Sequence, residues 1–222
     1  MFDFGNANDG QRKAIAAADG PVLITAGPGT GKTYTLVQRA IYLIEECNVR
    51  PESIFIATFT EKAAKELVTR ITNELANRNI TANINEMYIG TFHSLCLRML
   101  KEHLEYTRLR RNYRLMDSFD QQYMVFQNIH RFRSIPEIEI VLPNGGAWKQ
   151  AETICNFVNN LSEELVSPEE LMSDHDPSIA SLGRMLQEYR TILTEANLMD
   201  FSSIQIEAYR LLCDNEGILN EL

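Results

Sequence analysis

Pro21-Val-Leu-Ile-Thr-Ala-Gly-Pro-Gly-Thr-Gly-Lys-Thr33 joins a short apolar, β-branched run to a glycine-rich loop ending in Gly-Lys-Thr, and a helical pattern begins at once, from Tyr34 to Glu45. Strand, loop and helix in that order form a phosphate-binding unit. The glycines let consecutive backbone N–H groups curl around a phosphate. Lys32 reaches toward β- and γ-phosphates, and the Thr33 hydroxyl is placed to ligate Mg²⁺. The start of the following helix adds the positive end of its dipole. Ala26 stands where the strict pattern has glycine, and it is small enough for the same turn. An ordinary glycine-rich turn between strand and helix requires neither the lysine nor the threonine.

Outward from that loop, the 222 residues suit one large or two small domains, with an ordinary apolar content. No run approaches the ~20 apolar residues of a membrane span. Met1-Phe-Asp-Phe-Gly-Asn6 has neither a basic region nor an apolar signal core, and a cytoplasmic setting is expected. Cys47, Cys96, Cys155 and Cys213 form no C-x-x-C pair and read as reduced, scattered thiols. The formal net charge of −9 argues against binding nucleic acid by bulk charge, but it is unevenly distributed. Residues 1–105 carry a net −1, residues 106–150 a net +3 and residues 151–222 a net −11. Arg108, Arg110, Arg111 and Arg114 cluster near Tyr106 and Tyr113, which suits a phosphate contact; a solvated charged loop is an equal reading on charge alone.

Asn8 or Asp9 is expected to cap an alanine-rich helix ending near Asp19-Gly20. Pro21 to Ala26 and Ile54 to Thr58 read as buried parallel strands, and Met87 to Gly90 as a third strand. Thr60 caps a helix from Glu61 to about Asn77, with Ala63, Ala64, Leu67, Val68, Ile71 and Leu75 on one face. A helix follows from Thr91 to Leu104. Alternating strands and helices imply a parallel sheet with ligands at the carboxyl ends of its strands. Gly27–Thr33, Thr58–Thr60 and Gly90–His93 all fall there. From Tyr106 to Asn197 the pattern is mainly helical: Ser118–Phe132, Ala147–Leu161, a Ser167-Pro168-Glu169-Glu170 capping box, and Ser178–Ala196. A last helix, capped by Asp200, runs from Phe201 to Leu212.

Five segments in this order resemble the N-terminal part of a UvrD/Rep/PcrA-type superfamily 1 DNA helicase. Asn8-Asp-Gly-Gln11 resembles the Q motif, with Ala7 where leucine is usual. Ala26-Gly-Pro-Gly-Thr-Gly-Lys-Thr33 resembles motif I. Thr58-Phe-Thr-Glu-Lys-Ala-Ala-Lys-Glu66 resembles motif Ia, and Gly90-Thr-Phe-His-Ser94 motif Ib. Asn197-Leu-Met-Asp-Phe201 resembles the segment leading back toward the DExx box. The resemblance implies an α/β fold: a partial RecA-like P-loop NTPase parallel sheet, residues 1–105 plus 197–222, with an inserted mainly helical subdomain at 106–196. A second RecA-like domain lies outside the chain.

It also implies roles. Gln11 reads the adenine edge. Ala26, Gly27, Pro28, Gly29, Thr30, Gly31, Lys32 and Thr33 hold the nucleotide, with Lys32 catalytic and Thr33 on Mg²⁺. Phe59 stacks on a base of single-stranded DNA, Thr58 and Thr60 contact backbone phosphates, and Thr91, Phe92 and His93 line the same groove. For Phe59 alone, core packing is an equal reading, and Gln11 and His93 alone are unremarkable surface residues. Family members often have arginine after the motif I threonine; Tyr34 stands there. The cofactors implied are ATP and Mg²⁺. The partners implied are single-stranded DNA, a duplex junction and the remainder of the helicase chain, with the piece itself monomeric and no membrane involved.

Hydrolysis also requires a strand-borne carboxylate pair and an arginine finger. No apolar strand followed by Asp-Glu occurs in the sequence. The chain therefore reads as part of a 3′-to-5′ helicase that is nearly inactive alone. Two other readings are a natural non-catalytic nucleotide- or DNA-binding regulatory module, and a P-loop switch or kinase. Thr58-Phe-Thr60 and Gly90-Thr-Phe-His93 argue against the last.

Overall fold

The computed structural model describes residues 2–221 and divides into two compact units, one up to Leu95 and the other from Cys96. Helices and short parallel strands are mixed in it. In the first unit, α1 (Asp9–Ala16) opens with Asn8, whose side chain accepts from the Gln11 N–H while the Gln11 side chain accepts from the Asn8 N–H. This reciprocal box satisfies two donors that a helix start otherwise leaves unpaired. The helix stops at Ala16, short of Asp19-Gly20. Next come α2 (Lys32–Glu45), β1 (Phe55–Thr58), α3 (Glu61–Asn77) and β2 (Tyr88–Thr91). α3 begins at its expected cap, the Thr60 side chain accepting from the Ala63 N–H, and it buries Ala64, Leu67, Ile71 and Leu75. These join Ile15, Ile41, Ile54, Ile56 and Met87 in one apolar core.

β1 and β2 pair in parallel, Phe55 opposite Tyr88 and Thr58 opposite Thr91. The expected first strand is not there. Residues 21–26 form no ladder, and Leu23 is 93% exposed. A strand exists only through its neighbour's hydrogen bonds, and β2 is the only strand paired with β1 among the described residues. β1 is itself only half covered, with Ile56 buried and Phe55 exposed.

The N-terminal segment is pinned by Arg78. Its guanidinium pairs with Glu74 (2.9 Å) and Glu45 (3.0 Å), donates to the Asp3 carbonyl (2.7 Å) and the Gln38 amide oxygen (3.0 Å), and lies 4.3 Å from the Phe2 ring centre. The Tyr34 hydroxyl donates to the Phe4 carbonyl (3.0 Å).

α4 (Phe92–Glu102) contains the boundary between the units. The second unit holds β3 (Arg114–Leu115), α5 (Ser118–Gln127), α6 (Ile129–Arg133), α7 (Ala147–Glu163), α8 (Pro168–Met172), α9 (Pro177–Glu195), β4 (Leu198–Met199), α10 (Phe201–Asp214) and α11 (Glu216–Glu221). The helix expected over 118–132 breaks at Asn128. Its side-chain amide donates to the Met124 carbonyl (2.9 Å), an alternative to continued helix. β3 and β4, unexpected from the sequence, pair in parallel. Asp200, the cap of α10, is buried in a polar network. Its carboxylate accepts from the Tyr189 hydroxyl, the Gln121 amide (3.3 Å), the Ser202 hydroxyl (2.9 Å) and the Ser203 N–H (2.7 Å). Burial, and secondarily Asp200, pushes the Cys155 thiol up to about 12 and raises Tyr189 well above its usual range.

Candidate nucleotide and DNA site

The glycine-rich loop lies between the exposed run 21–26 and α2. Gly31 caps α2 with a φ of 82°, a conformation glycine adopts without strain. Even apart from its backbone, a Cβ at Gly31 would lie 2.8 Å from the Gln11 side-chain nitrogen. That nitrogen donates to the Thr30 carbonyl (3.1 Å), and the Gln11 oxygen accepts from the Asn8 N–H (2.9 Å). The capping box thus holds the glutamine against the loop, with one amide hydrogen left for a ligand. Thr30 folds its hydroxyl onto the Gly27 carbonyl (2.8 Å). Lys32 is exposed and turned onto its own loop, donating to the carbonyls of Gly27 (2.7 Å) and Ala26 (3.3 Å).

A cleft of about 450 Å³ is lined by Gln11, Ala26, Gly27, Thr30 and Lys32, together with Arg39. Arg39 was not singled out from the sequence. It donates to the Ala14 carbonyl (2.8 Å) and has no ion pair among the described residues. Only its place on the inner face of α2, facing α1, marks it. No carboxylate lines this cleft. Tyr34 is committed to Phe4 and does not line it.

Thr33 lines a neighbouring recess of about 430 Å³, shared with Thr58, Phe59, Thr60, Glu66 and, from the first cleft, Lys32 and Leu36. The first turn of α2 therefore borders both spaces. Phe59 is fully exposed, which rules out core packing for it. Thr58 donates its hydroxyl to the Thr60 carbonyl (3.0 Å), and the Thr60 hydroxyl caps α3. The Thr58–Thr91 register brings both chain segments out at the same end of the sheet, so Phe92 and His93 leave beside Phe59 and Thr60, both exposed. The Thr91 hydroxyl donates to Glu61 (2.9 Å) and accepts from the Ser94 N–H (3.2 Å). The turn is tight: a Cβ at Gly90 would lie 2.4 Å from the Ser94 hydroxyl oxygen.

The arginine cluster divides. Arg108 is half-buried and pairs with Glu207 (2.8 Å) and the Leu198 carbonyl. Arg114 pairs weakly with Asp120 (3.4 Å) on the surface, and Arg110 and Arg111 are exposed.

The family model described as the UvrD/REP helicase N-terminal domain matches residues 7–222. The chain belongs to the UvrD/REP helicase family. Among its relatives, the DNA helicase II of Haemophilus influenzae is 34% identical over 206 residues, covering 92% of this chain and 26% of that protein. The Escherichia coli DNA helicase II is 30% identical, covering 96% of the chain and 27% of that protein. The ATP-dependent DNA helicase SRS2 of Saccharomyces cerevisiae is 32% identical, covering 85% of the chain and 17% of that protein. This UvrD/REP domain thus spans roughly a quarter or less of the length of these relatives. No helix among its described residues is long and apolar enough to cross a membrane.

Proposed function

We propose that this UvrD/REP domain binds ATP in the cleft around Lys32 and single-stranded DNA along Thr58–Thr60 and Thr91–His93, as the N-terminal part of an ATP-dependent 3′-to-5′ DNA helicase. The observation that carries the reading is the first turn of α2, where Lys32 and Leu36 line both the nucleotide cleft and the recess beside Phe59. A phosphate that draws Lys32 off the Gly27 carbonyl acts on a side chain bordering the DNA segment. Gln11 offers its remaining amide hydrogen to the adenine edge. Thr33 offers one hydroxyl to Mg²⁺, the other ligands coming from phosphate and water. ATP supplies the free energy for strand separation. The domain would act in the cytoplasm, as a monomer, on single strands and duplex junctions, with RecA-like architecture completed by further chain.

The cleft around Lys32 has no lining carboxylate, and Glu66, which lines the recess that Thr33 borders, is paired with Arg70 (2.6 Å), so the chain alone is proposed to bind nucleotide without turning it over. The same feature favours a second reading, a non-catalytic module that binds nucleotide or DNA for a partner. The test is ATPase activity of the pure chain with and without oligodeoxythymidylate, where background turnover is expected. Robust turnover that Lys32→Ala abolishes would show that the chain carries its own hydrolytic groups.

A further inference from the structure

In the second unit, α5 and α7 present four aromatic rings that belong to no apolar core. Phe119, Tyr123, Phe126 and Trp148 are 63%, 45%, 37% and 42% exposed, whereas Gln121, Met124 and Val125 on the other side of α5 are buried. The first three recur at the spacing of one helix face. The Phe119 and Tyr123 ring planes are parallel to within 2°, with centres 6.3 Å apart, and the centres of Tyr123 and Phe126 are 6.4 Å apart. Trp148 closes the group at 5.9 Å from Phe119 and 5.6 Å from Phe126. The Trp148 carbonyl accepts from Gln122 (3.3 Å), which ties α7 to α5 at this point. The rings lie beside one another, and all four side chains are exposed to solvent.

We infer that this aromatic face is a stacking platform for single-stranded DNA, separate from the motif segments of the first unit. The inference rests on the DNA-binding reading above and adds a second contact to it. Open aromatic faces attract bases of any sequence. Ring centres 6.3 Å apart do not match the ~3.4 Å rise between stacked bases in a duplex strand, and a single strand, whose bases can separate, adapts to that spacing. Charge favours the same occupant. Residues 106–150 carry a net +3 in a chain of net −9. Exposed Lys149 adjoins Trp148 in the chain, and exposed Arg114 pairs with Asp120, the residue after Phe119. Both cations have surface carboxylate partners, at 3.4 Å for Arg114 and 3.6 Å for Lys149, pairs weak enough for a phosphate to displace.

Trp148 is the only tryptophan in the chain, so its emission reports on this face alone. The experiment titrates the pure chain with oligodeoxythymidylate, following Trp148 emission and, in parallel, the anisotropy of a labelled oligomer. Saturable quenching is expected, weakened by salt and shifted to about tenfold higher DNA concentration by Phe119→Ala or Tyr123→Ala. Both residues are exposed, and far-UV circular dichroism checks that each variant stays folded. Phe59→Ala should weaken binding but leave the quench at saturation. Binding seen by anisotropy with unchanged emission would overturn the platform and leave the proposed function standing. Absence of both signals would overturn both. Equal quenching by a blunt duplex would overturn the single-strand assignment. An emission change that grows with protein concentration without DNA would mark the face as a self-association surface instead.

Discussion

At the residue scale, the chemistry is concentrated in side chains that the fold leaves exposed. Phe59 has no packing partner to lose, so Phe59→Ala should leave thermal stability unchanged while weakening binding of oligodeoxythymidylate by about tenfold, measured by anisotropy. Arg39 is a cation in the nucleotide cleft without a carboxylate partner among the described residues. Arg39→Ala should weaken binding of a fluorescent ATP analogue severalfold, and Arg39→Lys should restore part of it, because charge is retained and the fork of N–H donors is not. Phe59 and Lys32 stood out in the sequence as candidates because their segments carry recognisable motifs. Arg39 did not, because one arginine inside an amphipathic helix has no local signal; its meaning comes from α1 packing opposite.

At the element scale, caps and registers set the geometry. Thr60 starts α3 and so fixes where Phe59 leaves the sheet. Thr60→Ala should cost about 1 kcal/mol in urea unfolding, and Thr60→Ser should recover most of it, because the serine hydroxyl accepts the same Ala63 N–H. Caps of this kind were readable in advance: Thr60 and Asp200 were expected, as was Asn8 or Asp9, and Asn8, Thr60 and Asp200 each act through a neighbour three residues on. Pairing was not. Residues 21–26 have a strand's composition and no paired neighbour, since composition speaks of side chains while a ladder requires a second backbone. β3 and β4 are two residues each, too short for any periodicity, and they pair across more than 80 positions of chain. Asn128 breaks a helix whose apolar pattern runs straight through it, because the competing bond is made by its own side chain.

At the scale of the whole molecule, stability should depend on alkaline pH through the second unit. The Cys155 thiol moves from an ordinary 9.0 up to about 12, and burial also raises Tyr189 well above 10.0. For groups raised on folding, the unfolded chain loses its protons first. Their stabilisation is therefore complete below about pH 9 and is lost as pH rises through the folded values. Unfolding midpoints in urea should fall steadily above pH 9, by up to ~1.4 kcal/mol per pH unit for each group, and Cys155→Ala should flatten that slope while shifting the neutral-pH midpoint by its lost packing.

The proposed function turns on Lys32 and its loop receiving a nucleotide. Its most direct test is the affinity of the chain for a fluorescent ATP analogue with Mg²⁺, for the unaltered protein and for Lys32→Ala. Lys32 is exposed and bonds only to loop carbonyls, so the substitution should spare the fold, with thermal midpoints agreeing within a few degrees. Saturable binding that Lys32→Ala weakens at least tenfold is expected, together with competition by ATP. Equal affinity in the two proteins, or no competition by ATP, would contradict the proposed function.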